Sequence, residues 1–393
     1  MKKKYIERQI SDYVRKVSGM YPVVTICGPR QSGKTTLARH LFPSYDYVSM
    51  EDPGTRLQFE NDPRAFLELH PAPCIFDEVQ NTPTLLSYLQ GIIDEHNTPG
   101  MYILTGSRQM ELQETITQSL AGRSAMVDLL PLSYAELETA GIHLTRDEAL
   151  YYGGLPRLHA EGIPPEIAYS NYMRTYVERD VRQLINIKNL SAFETFIRLL
   201  AARVGQIINY SSLASDVGVS APTIKEWISM LEASYIVFTV HPYYSNFGKR
   251  LTKSPKIFFT ETGLVTSLLD INSPAQVARD PLIGNIYENL VVSEFLKARL
   301  NAGLRPNMYF YRDAHGFEID LILDIARRPL PIEIKSAKTY TPALIKNLLQ
   351  FYNNDVTQSL TPALIYGGDD LGDFQGVHVT SISAVHKVAL SEA

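Results

Sequence analysis

The chain has few cysteines, little excess charge and no long apolar run. Its 393 residues include only two cysteines, Cys27 and Cys74, which exclude a disulfide framework and suit a reducing compartment. Both lie in apolar, strand-like runs, so we interpret them as small buried hydrophobic residues. The net charge of −5 excludes a surface that is basic as a whole. Any contact with nucleic acid must therefore come from a local basic patch.

No segment is typical of a membrane span or an export signal. No run approaches the roughly 20 apolar residues that cross a bilayer, and the basic residues Lys2–Lys4 are not followed by an apolar core. We therefore expect no membrane contact and a cytoplasmic location. The apolar fraction of 45% is that of an ordinary soluble protein, and the length allows two or three domains.

A glycine-rich loop at residues 28–35 has the pattern G-x-x-x-x-G-K-T. It follows an apolar run at 23–27 and precedes a helical pattern, which is the order that a phosphate-binding loop requires. Backbone N–H groups and the positive end of the helix dipole can then hold an anion. A glycine-rich turn before an ordinary helix is the weaker alternative, because all four fixed positions are present. The residues predicted to bind ATP are Gly28, Pro29, Arg30, Gln31, Ser32, Gly33, Lys34, Thr35 and Thr36.

Within this loop, two side chains have predicted roles in catalysis and metal binding. Lys34 is expected to reach the β- and γ-phosphates, and the Thr35 hydroxyl to bind Mg²⁺. Two acids, Asp77 and Glu78, end a later apolar run. We expect Asp77 to hold Mg²⁺ through water and Glu78 to polarise the attacking water, although two solvated acids would look the same. An acid directly after the metal-binding aspartate favours hydrolysis over binding alone.

Further polar side chains follow the next predicted strand, at 101–104. Because polar groups at the carboxyl edge of a doubly wound sheet face the ligand, we expect Ser107, or else Thr105, to contact the γ-phosphate. Arg123 is a candidate arginine finger, acting in its own chain or in a neighbouring subunit of a homo-oligomer. A surface ion pair explains Arg123 equally well.

Together these motifs resemble the AAA-like P-loop ATPases with an added strand beside the loop strand. They resemble more closely a bacterial and archaeal family that fuses such an ATPase to a C-terminal domain of unknown function. The resemblance spans essentially the whole chain, and it implies ATP and Mg²⁺ as cofactors and a parallel sheet between helices in residues 1–145. Its motifs lie at residues 28–35, 77–80, 104–107, 120–124, 130–134 and 153–156.

The middle of the chain predicts a helical connector and a helix-turn-helix. Residues 146–190 include a charged helical pattern at 169–187, which we interpret as the connector. Residues 191–260 predict a winged helix: a short helix begun by Ser211 or Ser212, a turn at Gly218, a second helix, and a wing strand at 235–244.

A basic and aromatic stretch at 243–256 points to nucleic acid as a partner. It has four cations, no acids and three aromatic residues, which suits backbone neutralisation with base stacking. The second helix is a poor reader of bases, since its Lys225 is followed by Glu226. We therefore predict a nucleic-acid partner, with DNA favoured, and leave open a winged helix used only for protein packing.

In residues 261–393, charged side chains are predicted to meet on a hairpin with its turn at 324–329. If residue 323 pairs with 330, Asp320 lies opposite Glu333, and Glu318 opposite Lys335. Two opposed carboxylates are unfavourable unless a cation lies between them, so we predict a divalent metal there.

A helix upstream offers a third acid for this site. Glu288 shares an apolar helix face, where a carboxylate needs a partner. The set Glu288, Asp320, Glu333 and Lys335 resembles the PD-(D/E)xK nuclease superfamily, with Ile319 in place of the motif's proline. The resemblance implies a restriction-endonuclease-like domain in which the three acids bind Mg²⁺ and Glu333 and Lys335 are catalytic.

Two functions follow from these motifs. In the first, ATP controls nucleic-acid binding and metal-dependent phosphodiester cleavage. In the second, the protein is an ATP-dependent switch or scaffold, and its nuclease-like domain binds a partner or nucleic acid without cleaving it.

Overall fold

The structure, a computed structural model, describes residues 5–107, 119–175, 190–243, 254–354 and 359–391. Its named strands form a five-stranded sheet in the N-terminal part and an eight-stranded sheet that begins at residue 237. In these ranges, no helix has the length and apolar character needed to cross a membrane. The predicted α/β class is confirmed.

The first sheet has every strand parallel, in the order β2-β3-β4-β1-β5. The strand β4 lies between β1 and β3, which is the added strand expected beside the loop strand. The strand β5 ends at Asp128, and the carbonyl of Leu130, two residues further along, accepts a hydrogen bond from Arg8. The strands are β1 (Val23–Cys27), β2 (Asp46–Ser49), β3 (Cys74–Asp77), β4 (Tyr102–Gly106) and β5 (Ser124–Asp128).

Helices cover both faces of this sheet. Along β1, Val24 and Leu37 belong to one apolar cluster, while Val23 and Leu89 belong to another, as expected for a sheet buried on both sides. Asp62 ends α3 and caps α4, whose first residue is Pro63. The helices are α1 (Ser11–Ser18), α2 (Lys34–Leu41), α3 (Pro53–Asn61), α4 (Pro63–Leu69) and α5 (Thr84–His96).

The middle of the chain is helical, and the predicted helix-turn-helix elements are present. The short helix is capped by Asn209, whose side chain accepts from Ser212 N at 3.0 Å, and not by Ser211 or Ser212. Gly218 ends this helix in the left-handed region, and Ser220 caps the next. The helices are α6 (Tyr134–Thr139), α7 (Arg146–Tyr152), α8 (Pro156–Glu161), α9 (Pro165–Tyr172), α10 (Leu190–Ala202), α11 (Tyr210–Val217) and α12 (Ala221–Ala233).

The second sheet joins the predicted wing to the predicted nuclease-like domain. Its strand order is β12-β13-β11-β10-β9-β8-β6-β7, so the two wing strands β6 and β7 form one of its edges. The strands are β6 (Val237–Pro242), β7 (Lys256–Phe259), β8 (Met308–Arg312), β9 (Glu318–Ile325), β10 (Arg328–Lys335), β11 (Ala363–Tyr366), β12 (Gly372–Phe374) and β13 (Val377–Thr380).

The described residues after 260 form five α-helices, and the longest, α15, packs against β7 and β10. The winged-helix and endonuclease-like assignments stay predictions. The connector beyond residue 175 and the basic residues 244–253 lie outside the described residues. The helices are α13 (Thr262–Leu268), α14 (Pro274–Val277), α15 (Ile283–Asn301), α16 (Lys346–Asn354) and α17 (Val385–Ala389).

The predicted hairpin has the expected register but a shorter turn. Residue 323 pairs with 330, as predicted. The turn is only Ala326 and Arg327, not 324–329, because both adopt the left-handed backbone of a two-residue turn, with φ of 51° and 68°. A register shift between β8 and β9, at Tyr309 and Tyr311, forms a bulge beside Asp320.

Candidate functional site

The glycine-rich loop has the backbone that a phosphate cradle needs. Gly28 has φ of 151°, and a Cβ there would lie 2.1 Å from the carbonyl oxygen of Leu129, so only glycine fits. Gly33, with φ of 96°, is the residue before α2, which begins at Lys34. The loop therefore lies directly at a helix N-terminus, where backbone N–H groups can face an anion.

Lys34 and Ser32 are buried within this loop. Lys34 Nζ donates to the carbonyls of Gly28 at 3.0 Å and Pro29 at 2.9 Å. Burial lowers the pKa of Lys34, since it disfavours the charged amine. Within the part of the chain that the structure describes, the buried Ser32 hydroxyl has no hydrogen-bond partner. An unpaired buried hydroxyl next to a lysine and a helix N-terminus fits a phosphate group.

Asp77 brings together residues from four elements at the end of β3. Thr35 Oγ1 donates to Asp77 Oδ1 at 2.7 Å, so the two predicted Mg²⁺ residues are in contact. The Tyr47 hydroxyl donates to Asp77 Oδ2 at 2.9 Å, and Thr105 Oγ1 donates to Asp77 Oδ1. Burial and the Asp77 carboxylate raise the pKa of Tyr47 to about 12, so the tyrosine stays a donor.

Glu78 follows at once and is held by two side chains. Its backbone is in the left-handed region, with φ of 57°, which is unusual for a residue other than glycine and occurs at functional sites. Ser107 Oγ donates to Glu78 Oε2 at 3.2 Å, and the amide of Gln80 donates to the same oxygen. Ser107, which the sequence predicted to contact a phosphate, therefore binds the side chain of Glu78, the residue predicted to polarise the attacking water.

Arg8 is a buried residue of this region that sequence reasoning missed. Its guanidinium donates to the carbonyls of Ser32 at 2.8 Å and Leu130 at 2.7 Å, and to Glu136 Oε1 at 3.1 Å. It thereby fixes the loop to the segment after β5. No motif surrounds Arg8, so only the tertiary structure reveals it.

Arg123 lies at the opposite end of the sheet from the phosphate loop. Its carbonyl accepts from Val23 N at the start of β1, whereas the loop follows the end of β1. The five residues of β1 lie between the Arg123 backbone and the phosphate loop, and this strand is about 13 Å long. The side chain forms a two-pronged ion pair with Asp94, with Nε–Oδ1 at 2.5 Å and Nη2–Oδ2 at 2.9 Å. Arg123 is therefore remote from the phosphate loop of its own chain.

The C-terminal hairpin carries one predicted cluster. Lys335 Nζ lies 2.9 Å from Asp320 Oδ2 and 2.7 Å from Glu333 Oε1, so the two opposed carboxylates share a lysine. The predicted pair of Glu318 with Lys335 is wrong, because the bulge turns Glu318 toward β8 and Lys256. Burial, and then Asp320, raise the pKa of Glu333 to about 8. Its Oε2 atom is buried and has no hydrogen-bond partner among the described residues.

Lys256 joins Glu288 to the same cluster. Its Nζ lies 2.8 Å from Glu288 Oε1 and 2.6 Å from Glu318 Oε1. The expectation that Glu288 needs a partner is confirmed, and that partner is a lysine. Burial opposes the charged form of Lys256, but Glu288, Asp320 and Glu318 outweigh it and raise its pKa. Lys256 thus stays an ammonium.

The described part of the chain contains no group of three or more His, Cys, Asp or Glu side chains placed to hold a metal ion. In the C-terminal cluster, lysines lie between the carboxylates that the sequence assigns to a metal. As arranged here, the residues do not fit a divalent cation. The metal assignment remains a hypothesis.

Three family models match successive parts of the chain. An AAA domain matches residues 20–138, a domain of unknown function (DUF8612) matches residues 144–275, and another (DUF4143) matches residues 283–385. The N-terminal part therefore carries the ATPase-like domain that the sequence motifs predicted. The C-terminal part matches a domain whose function is unknown, also as predicted.

Curated relatives share most of the chain. An uncharacterized protein of Mycobacterium tuberculosis is 30% identical over 348 residues, which cover 87% of this chain and 76% of that protein. The chain belongs to this protein's family. An uncharacterized protein of Haemophilus influenzae is 22% identical over 293 residues, covering 66% of this chain and 70% of that protein.

Solved structures of nucleotide-binding proteins are more distant. The Walker-type ATPase of Pyrococcus abyssi has a TM-score of 0.46 at 15% identity, over 68% of this chain and 97% of that one. AMPPCP-bound DnaA from Aquifex aeolicus has a TM-score of 0.29 at 14% identity, over 57% of this chain and 85% of that one. Both scores lie below 0.5.

Proposed function

We propose that this protein binds ATP with Mg²⁺ at residues 28–36 and hydrolyses the ATP. The contact between Thr35 and Asp77 carries the proposal, because a hydroxyl and a carboxylate 2.7 Å apart beside a phosphate cradle are the expected Mg²⁺ pair. The AAA domain match supports it. When bound, Mg²⁺ would neutralise phosphate charge.

The side chains around the loop would have separate roles in ATP binding and hydrolysis. Lys34 would exchange its carbonyl partners for phosphate oxygens, and Ser32 would gain the partner that its hydroxyl lacks. Glu78 would orient a water and accept its proton, while Ser107 keeps the carboxylate directed. Ser107 is in this view a positioning residue.

Removal of the lysine tests nucleotide binding. Lys34→Ala is expected to weaken binding of a fluorescent ATP analogue at least about tenfold, since a charge-assisted contact to phosphate is lost. Lys16→Ala, at an exposed position of α1, is the control and should bind as the unmodified protein does. Equal affinity in Lys34→Ala would contradict the proposal.

We further propose that Arg123 acts on the phosphate of a nucleotide bound to a neighbouring subunit. Its distance from the loop of its own chain leaves only this arrangement. The Asp94 ion pair would then open on assembly. A homo-oligomer is therefore part of the proposal.

The second part of the proposal is a nucleic-acid partner, DNA favoured, that binds without being cleaved. The geometry that supports it is the helix-turn-helix followed by the antiparallel pair β6–β7, with a further bridge from Ile207 to Lys256, as in a winged helix. The lysine-filled acid cluster favours binding over cleavage. The competing hypothesis is metal-dependent cleavage at Glu333. A DNA-cleavage assay with Mg²⁺ distinguishes it from binding without cleavage.

Charge reversal in the basic stretch tests the partner. Lys249→Glu with Lys253→Glu should reduce the slope of log affinity against log salt by about two for labelled DNA, since each lysine releases a counterion. The matched control is Lys16→Glu with Lys387→Glu, at exposed sites, which should keep the slope. With Mg²⁺ the DNA is expected to stay intact. Cleavage that disappears in Glu333→Ala would favour the nuclease hypothesis instead.

A further inference from the structure

The acidic cluster of the C-terminal domain consists of four carboxylates and two buried or half-buried lysines. Lys256 connects Glu288 and Glu318, and Lys335 connects Asp320 and Glu333. We propose that Lys256 is the resident cation of this cluster and excludes a divalent metal from it. The inference deepens the proposed binding role without cleavage, and it rests on that role.

The position of Lys256 is fixed by backbone contacts on both sides. It pairs with Val240 of β6 and forms a bridge to Ile207. Only 3% of the residue is exposed, and its ammonium lies 5.4 Å from the ring centre of Phe310. An ammonium over an aromatic face gains further stabilisation. Lys256 is therefore a built-in part of the cluster, unlike a surface lysine that samples many positions.

Glu288 is enclosed on its other side. A Cβ at Gly205, whose φ is 73°, would lie 3.2 Å from Glu288 Oε2. One carboxylate oxygen therefore faces Gly205 and the other binds Lys256. An ion that used Glu288 as a ligand would have to take the place of the Lys256 ammonium.

The charge of the cluster also leaves little for a divalent ion. Each of its four carboxylates already has a lysine partner: Lys256 lies between Glu288 and Glu318, and Lys335 between Asp320 and Glu333, with every N–O distance at 2.9 Å or less. A divalent ion would therefore have to displace an ammonium group from each carboxylate that it used as a ligand.

Removal of the Lys256 charge should open the cluster to metal. Lys256→Met keeps the length of the side chain and removes its ammonium, which leaves buried carboxylates without their counter-cation. In calorimetric titrations of the full chain with Mn²⁺ and no nucleotide, Lys256→Met should bind Mn²⁺ at least tenfold more tightly than the unmodified protein. The added Asp320→Asn change should abolish this gain.

Two results would overturn the inference. One is Mn²⁺ binding by the unmodified protein that Asp320→Asn removes, at an affinity equal to that of Lys256→Met. The other is a folded Lys256→Met that gains no Mn²⁺ binding. If Lys256→Met does not fold, the melting temperature of the unmodified protein provides the test. Millimolar Mn²⁺ should leave that melting temperature unchanged. A rise with Mn²⁺ that Asp320→Asn abolishes would refute the inference.

The outcome is separate from that of the cleavage assay. DNA cleavage dependent on Glu333 would refute the binding role, whereas the Mn²⁺ titration reports only on the cation of the cluster. The substitution Lys256→Arg is the matched control, since it keeps the positive charge and should bind no additional Mn²⁺.

Discussion

Replacing Glu78 with glutamine is expected to lower ATP turnover by at least about 100-fold, the effect typical of a lost general base. ATP affinity should change by no more than a few-fold, because Glu78 is assigned to the water and not to the nucleotide. Glutamine keeps the side-chain length and one carbonyl oxygen, so it can still accept from Ser107. The loss would therefore come from the missing negative charge.

This prediction is checked by steady-state phosphate release beside binding of a fluorescent ATP analogue. Glu95→Gln, at an exposed position of α5, removes the same charge away from the loop and should turn over normally. Turnover in Glu78→Gln within threefold of the unmodified protein would transfer the role of base to another group. A parallel loss of ATP binding would instead assign Glu78 to the nucleotide.

The phosphate loop was predictable because its signal is local. Gly28, Gly33 and Lys34 lie within seven residues, and the positive φ of Gly28 and Gly33 favours glycine at those two positions. Asp77 and Glu78 were found for a related reason, since acids at the end of an apolar strand meet the loop in any parallel sheet of this order.

Lys256 and Arg8 were not predicted in their roles because nothing local distinguishes them. Lys256 ends a basic stretch, and the sequence assigned it to nucleic acid, whereas the fold turns it inward toward Glu288. Arg8 lies in a charged N-terminal segment, and its three partners come from residues 24 to 128 positions away. Contacts of that separation have no signature in a single sequence.

The hairpin shows a case between these extremes. The pairing of 323 with 330 followed correctly from a symmetric turn. The bulge between β8 and β9 did not, because it depends on a neighbouring strand that sequence periodicity does not identify. The fold of the hairpin was thus predictable, but the ion pairs of Glu318 and Lys335 were not.

The segment 130–134 links the phosphate loop to the C-terminal half. Arg8 binds the carbonyl of Leu130 on one side, and Lys297 of α15 binds that of Leu132 at 3.1 Å. Glu294, also on α15, accepts from Tyr134 N at 2.7 Å. Helix α15 also carries Glu288. A continuous set of contacts of this kind can couple the phosphate loop to the C-terminal half.

The largest loss of stability is expected from Glu261→Ala, at a second connection between the halves. The buried Glu261 carboxylate accepts from Gly154 N at 3.0 and 3.1 Å, from the Tyr169 hydroxyl at 2.9 Å and from Gly263 N at 3.2 Å. A Cβ at Gly153 would lie 1.8 Å from Glu261 Oε1, and a Cβ at Gly154 would lie 2.2 Å from the carbonyl oxygen of Leu132, so each position requires glycine. The carboxylate therefore fixes this turn.

Alanine at position 261 leaves two buried backbone donors, Gly154 N and Gly263 N, without the Glu261 acceptor, and each unpaired donor costs about 1–3 kcal/mol. The Tyr169 hydroxyl keeps the Tyr152 carbonyl as a partner at 2.8 Å. We expect the melting temperature to fall by about 5 °C or more, measured by circular dichroism. Glu261→Gln keeps the shape and one acceptor oxygen, so its loss should be smaller. Glu226→Ala, on an exposed position of α12, is the control and should melt normally. If Glu261→Ala melted with that control, the other hydrogen bonds of the turn at 153–154, such as that from Leu132 N to the Gly154 carbonyl at 2.8 Å, would be sufficient to hold it, and Glu261 would not connect the two halves.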